Sequence, residues 1–295
     1  MKNKYTSIMI DVVDSKKYDN RNELQEFLKC IIEYLNNVFG KSLKKSLMFS
    51  AGDEIQGLFN SSLAAYLCSR FFMMICFPVK VRIGVGYGEL AFDNDKWGSS
   101  ELDGEVYHNA RYAIESFTGK SSFGIRINTK GKKDKLLNTL FYSSQIIQRQ
   151  QSINAQEVKL ITELLFPIYD NEIMYPYLYY KEELIKVLEM KKDIISNAKF
   201  SFSNAKIGRV HYTNKLNLDM SKLGFHSFDI SIHEVVKNSD LIIDNIWKKG
   251  MSTIISEVLG TSRQNIDQHI RLGKIEENRT IDFTIAYWII EEGYR

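Results

Sequence analysis

The sequence offers no apolar run long enough to cross a membrane. Its longest, Phe71 to Phe77, lies between Arg70 and Pro78 and falls far short of the ~20 residues a span needs. Met1-Lys2-Asn3-Lys4 leads straight into a strand-like stretch carrying Asp11, so no secretory signal is expected. Cysteine is scarce, 3 in 295 residues, and Cys30, Cys68 and Cys76 show no metal-ligand spacing. Their odd number and apolar surroundings fit reduced thiols in a cytoplasmic protein better than a disulfide framework. A net charge of +3 is too small to imply nucleic-acid binding by the chain as a whole, so any basic patch must be local. There are only 3 prolines, no internal repeat of useful length and no Gly-x-x-x-x-Gly-Lys-Ser/Thr phosphate loop. What is left, 44% hydrophobic and 25% charged residues, is an ordinary soluble globular composition. The length suggests about two domains.

Against that background one stretch stands out, Met48 to Phe59. Apolar residues flank Gly52-Asp53-Glu54, a pattern that reads as two buried strands joined by a tight turn with carboxylates at its tip. Acidic residues are poor strand formers. The first strand, Ser7 to Ser15, also runs from apolar residues into carboxylates at Asp11 and Asp14. Side by side, Asp11 and Asp53 would make an oxygen-rich pocket suited to Mg²⁺ and the phosphates of a nucleotide. The plainer reading makes both of them turn and cap residues.

Around these two strands the pattern is regular. Leu24 to Phe39 repeats its apolar residues at three- and four-residue steps, a helix that Gly40 ends. A second helix is expected from Asn60-Ser61-Ser62 to Ile75, and then a strand from Val79 to Leu90. That strand carries Gly84, Gly86 and Gly88 on one face. They clear room either for a nucleotide or for a closely packed helix. A helix from about Gly104 to Phe117 and a strand at Phe123 to Ile127 complete a βαββαβαβ order, which suits helices stacked on an antiparallel or mixed sheet. Beyond Asp134 strand signals fade. Helices are expected at Leu136 to Gln150, Ala155 to Phe166 and Glu182 to Ile195, with a polar hinge at Gln148 to Ser152. Five tyrosines between Tyr169 and Tyr180 read as a packed connector or an interaction surface.

Near the C-terminus, Ser252 to Ile270 has the layout of a helix-turn-helix. Ile254, Ile255, Val258 and Leu259 bury one face, Gly260 turns, and Ser262 caps a second helix held by Ile266 and Ile270. Arg263, Gln264, Asn265, Gln268 and Arg271 then face outward, side chains suited to base edges and phosphates of double-stranded DNA. The same layout also serves as a protein-contact module. A DNA reader of this kind works best as a homodimer, since two half-sites multiply affinity.

With these residues laid out, the amino-terminal part resembles class III adenylate and guanylate cyclases. Asp11-Val12-Val13 looks like their first metal element and Gly52-Asp53 like the second. The strand from Arg82 to Glu89 and the helix from Val106 to Arg111 look like later ones. Ala51-Gly52-Asp53-Glu54-Ile55 also approaches the hairpin of diguanylate cyclases. The whole is most similar to the SatD family, whose Gly-Asp-Glu hairpin and Tyr-x-x-Ala-Arg helix match Gly52 to Gly57 and Tyr107 to Arg111.

The resemblance implies an α+β fold. A ferredoxin-like palm would occupy residues 1–130 and a helix-turn-helix domain 241–295, while the helical patterns alone make 131–240 a connector of unassigned architecture. It implies Mg²⁺ or Mn²⁺ on Asp11, Asp53, Glu54 and the Val12 carbonyl. Gly52, Gly84, Gly86 and Tyr107 would lie against a purine nucleoside triphosphate or a derived nucleotide. Arg111, acting with Asp53, would stabilise the transferring phosphoryl group. Two departures stand out: Tyr107 occupies the place of the cyclase Asn, and Phe49 that of the purine-selecting Lys. A nucleotide-responsive transcriptional regulator is therefore expected. The alternative is an active purine nucleotidyl cyclase or polymerase that releases pyrophosphate and carries a protein-contact module.

Overall fold

The computed structural model describes residues 3–18, 21–94, 96–118, 123–196, 216–224, 230–232, 235 and 243–291. Most of the stretch from 199 to 237, to which the sequence assigned no architecture, lies outside them.

The first part of the chain runs β1 (Lys4–Val12), α1 (Arg21–Val38), β2 (Leu43–Ala51), β3 (Glu54–Phe59), α2 (Ser62–Cys76), β4 (Val81–Glu89), α3 (Glu105–Glu115) and β5 (Gly124–Asn128). The expected order of elements is the one found. The five strands form one mixed sheet in the order β2-β3-β1-β4-β5, antiparallel except where β5 runs parallel to β4. β1 ends three residues earlier than its apolar pattern suggested, because Asp14 adopts a left-handed conformation (φ 56°) and turns the chain into a short 3-10 helix at Ser15–Lys17.

Strand alternation sorts the two faces of this sheet. Ile8, Ile10 and Val12 of β1 and Val81, Ile83 and Val85 of β4 join the core shared with α1 and α2. Tyr5 and Met9 point the other way, into a smaller core with Leu58 and with Val106, Tyr107, Ala110 and Ile114 of α3. Helix α2 is buried nearly all round, the behaviour of a helix apolar on every face. The Ser61 hydroxyl caps it by accepting from the Ala64 N–H.

The helical remainder comprises α4 (Asp134–Gln150), α5 (Ile153–Leu165), α6 (Lys181–Ser196), the short α7 (Ile243–Ile246), α8 (Met251–Val258), α9 (Arg263–Leu272) and α10 (Ile275–Glu291). A small parallel pair, β6 (Ile168–Tyr169) with β7 (Ile230–Ser231), is too short for periodicity to reveal. The expected hinge is a tight helix junction. Ser152 caps α5, Gln156 Nε2 donates to the Gln148 carbonyl at 2.9 Å, and Gln151 Nε2 to that of Gly273 at 2.7 Å. The tyrosine segment is a packed connector. Tyr177 is fully buried and stacks on Phe71 of α2 at 3.9 Å, while Tyr34 of α1 donates to its carbonyl.

One apolar cluster runs from β1 and α2 through α4, α5 and α6 to Ile289 in α10. Inside it lies a set of fully buried charges. Arg70 of α2 meets Glu163 of α5 at 2.7 Å and Asp282 of α10 at 2.8 Å. Arg279 meets Glu163 at 2.6 Å and Lys159 lies 3.6 Å from Asp282. No described helix is long and apolar enough to cross a membrane. Cys30, Cys68 and Cys76 are all free and buried.

Candidate functional site

The hairpin forms as its sequence suggests. Ala51 pairs with Glu54, leaving a two-residue turn of Gly52 and Asp53. Gly52 carries a positive φ of 63°, which glycine adopts without steric cost, and the space where its Cβ would stand is open.

Register then carries three strands' charges to one end of the sheet. Asp11 sits directly across from Arg82 on β4, and the pairing of Ile10 with Ile55 sets Glu54 at the next position along β3. All three share the face that α3 covers, and α3 brings Arg111 down onto them. Arg111 Nη2 donates to Glu54 Oε1 at 2.7 Å and Nη1 to Oε2, a bidentate pair. Ser50 Oγ adds a third bond to Glu54 Oε1 at 2.9 Å.

Asp11 and Arg82 are looser, 3.5 Å apart, and Arg82 Nε is buried without a hydrogen-bond partner. Asp53 Oδ2 is likewise buried and unpartnered. Burial raises the Asp11 carboxyl above its ordinary value. Arg82 opposes that rise, and the charges of Asp53 and Glu54 reinforce it. The Glu54 bond and charge hold the Arg111 guanidinium more firmly protonated than usual.

These observations bear on what the site could hold. Among the described residues no three His, Cys, Asp or Glu side chains converge as a closed metal cage. Two carboxylates, Asp11 and the open Asp53, lie within electrostatic reach of each other. That number suits Mg²⁺, which commonly takes one or two carboxylates and completes its shell with waters and substrate phosphates. Val12, whose carbonyl the resemblance assigned to a metal, is the buried last residue of β1. The donor set fits a hard divalent cation brought in with a phosphate ligand.

The chain matches the family model of the SatD family over residues 5–207. The chain belongs to the SatD family. The match spans the five-stranded sheet and α4 to α6, and it stops before α8 and α9. No curated protein matches the chain.

Other residues expected at the site fall elsewhere. Gly84 and Gly86 do not form an open face. A Cβ on Gly86 would collide with the backbone of Val106 and Ala110, and one on Gly84 with Ala110 and Ile114. Close helix packing is what these glycines permit. Tyr107 is buried in the smaller core, its hydroxyl 3.1 Å from Ser99 Oγ, and Gln56 Nε2 donates to the Ser99 carbonyl at 2.7 Å. Glu101 accepts from the Gly98 N–H at 2.8 Å. Arg82 was quoted only as part of a strand motif. Its signal was a lone cation on an apolar and glycine strand, placed by parity on the carboxylate face.

In the C-terminal part, α8 and α9 meet at Gly260 (φ 56°), and Ser262 accepts from the Asn265 N–H. Ile255, Val258, Leu259, Ile266 and Ile270 are buried as expected, while Ile254 is only partly so. Arg263, Gln264, Gln268 and Arg271 are exposed. Asn265 is half-buried and its amide donates to Thr261 Oγ1, so it is partly engaged within the turn. Arg263 lies 3.4 Å from Asp267 one turn on. His269 is half-buried, and burial lowers its pKa.

Proposed function

We propose that this chain binds a purine nucleoside triphosphate, or a nucleotide derived from one, together with Mg²⁺ or Mn²⁺, and reports that state through a C-terminal DNA reader. The observation that carries the reading is the gathering of Asp11, Asp53, Glu54, Arg82 and Arg111 at one end of the sheet, with one Asp53 oxygen buried and unpartnered. A palm of the ferredoxin-like type has the strand order β2-β3-β1-β4 and places its metal carboxylates on β1 and on the β2–β3 hairpin. The observed order and positions support that assignment.

Asp53 and Asp11, with the Val12 carbonyl, would hold the cation, whose charge would neutralise the phosphates. Arg111 and Arg82 would receive phosphate oxygens. Sensing is favoured over turnover, because Arg111 is tied to Glu54 within the same chain and Tyr107 is committed to packing. A sensor needs affinity and a shape change, not a full transition-state set.

Incubation with the four nucleoside triphosphates and Mg²⁺ or Mn²⁺, followed by mass spectrometry, is expected to return bound but unchanged nucleotide. Pyrophosphate with a cyclic or linked product would replace the sensor by an enzyme. Asp53→Asn is expected to abolish the metal-dependent binding, and unaltered binding would remove the pocket from the account.

The reader assignment rests on the capped α9, its buried Ile266 and Ile270, and its exposed Arg263, Gln264, Gln268 and Arg271. Two copies of the chain would present two such helices to half-sites one helical turn apart. Duplex DNA at low salt should be retarded by the protein, less so by Arg263→Ala and less so as salt rises. No retardation at low salt would reassign the pair as a protein-contact module.

A further inference from the structure

We propose that the Glu54–Arg111 and Asp11–Arg82 pairs form a resting lock that a divalent cation and a triphosphate open together by exchanging partners. The inference rests on the nucleotide reading above and assigns its regulation. Arg111 holds both carboxylate oxygens of Glu54, and Ser50 holds one of them as well, so the carboxylate is spoken for. Arg82 stands 3.5 Å from Asp11. Asp53 Oδ2 is buried and makes no hydrogen bond.

Three carboxylates and two guanidiniums leave the cluster with one net negative charge (2 − 3 = −1), counting Asp11, Asp53, Glu54, Arg82 and Arg111. A triphosphate arriving alone meets that negative charge and must strip Arg111 from Glu54, whose side chain is only 15% exposed, leaving a poorly hydrated carboxylate without a counter-charge. A cation arriving alone gains Asp53. To recruit Glu54 it must leave Arg111 unpaired beside a +2 ion. When both arrive, the carboxylates turn to the cation and the guanidiniums to the phosphates, so no side chain of the cluster gives up a counter-charge without gaining another. Each ligand thus raises the affinity of the other by the same factor, as linkage requires.

Because triphosphates chelate metals in solution, each ligand is tested alone on the full-length chain. Mn²⁺ binding is read by electron paramagnetic resonance, and ATP and GTP binding by calorimetry in EDTA. Arg111→Gln releases Glu54 and is expected to bind Mn²⁺ alone about tenfold more tightly than the wild type, within the range typical of site-to-site coupling. Glu54→Gln releases Arg111 and is expected to bind metal-free triphosphate more tightly by a similar factor. Thermal melts of both variants close to the wild type would show that the fold is retained. Unchanged affinities in both, with the wild type still binding metal and nucleotide together, would overturn the lock and leave the pocket standing. No binding of metal and nucleotide together by the wild type would overturn the nucleotide reading itself, and the lock with it.

Discussion

The molecule carries two clusters of alternating charge, and they are built to opposite ends. One joins Arg70, Glu163, Arg279, Asp282 and Lys159 from three helices, fully buried, each charge within 3.6 Å of an opposite one. The Ser144 hydroxyl donates to Asp282 at 2.6 Å, and Asn278 Nδ2 to the Ser144 carbonyl at 3.1 Å. The other joins Asp11, Arg82, Asp53, Glu54 and Arg111 at the sheet's end, half-buried; each cluster has guanidinium nitrogens without a hydrogen bond, but only this one has a buried carboxylate oxygen without one, on Asp53. Burial works against all five charges of the first and against Asp11 and Arg111 in the second. In the first cluster opposing charges outweigh it for the acids: Glu163 and Asp282 are driven below their ordinary range by Arg70 with Arg279 and by Lys159 with Arg70. In the second, burial and neighbouring carboxylates prevail at Asp11, which titrates higher than usual. A charge set that closes on itself holds helices together. One left half-exposed at a sheet's end is free of that task, and the proposed ligand would use it.

Breaking the closed cluster should cost most. Glu163→Gln leaves Arg70 and Arg279 short of their shared counter-ion, and a loss of about 3–5 kcal/mol is expected in urea unfolding. A loss below about 1 kcal/mol would erase the distinction between the clusters. Lys159 offers a subtler probe. Burial lowers its ammonium to about 8, with Asp282 opposing. The unfolded chain therefore binds the extra proton between about pH 8 and the ordinary lysine value, and this group makes stability rise with pH across that window. Unfolding curves at several pH values should show the rise, and Lys159→Met should reduce it, leaving the share of Lys191, whose ammonium burial also lowers to about 8. The open cluster should respond least: Glu54→Gln is expected to change stability by about 1 kcal/mol or less, because Arg111 is 42% exposed and its released guanidinium can turn to water.

Much of this arrangement was legible in the chain. Period-two and period-3.6 patterns gave the eight elements of the sheet region in order, and Gly52-Asp53 announced its turn by residue type alone. The carboxylate pair was visible because Asp11 and Asp53 sit at the ends of apolar strands. The meaning of Gly84 and Gly86 was not, since alternation says which face is bare but not what lies on it, and here it is α3. Least legible was the closed cluster. Arg70 interrupts an otherwise apolar helix, a sign that a buried cation needs partners, but those partners lie 93 and 212 residues further on. No local pattern links such distant positions.

That distance has a consequence for where this protein can be cut. Similarity to the SatD family ends at residue 207, yet Arg70, Lys159 and Glu163 within it depend on Arg279 and Asp282 beyond it. Tyr66 also donates to the Asp282 carbonyl. A fragment ended at the family boundary would expose the apolar faces that α10 covers on α2 and α4, and strand three buried charges on the way. The edge of sequence kinship and the edge of the folding unit are different places in this chain.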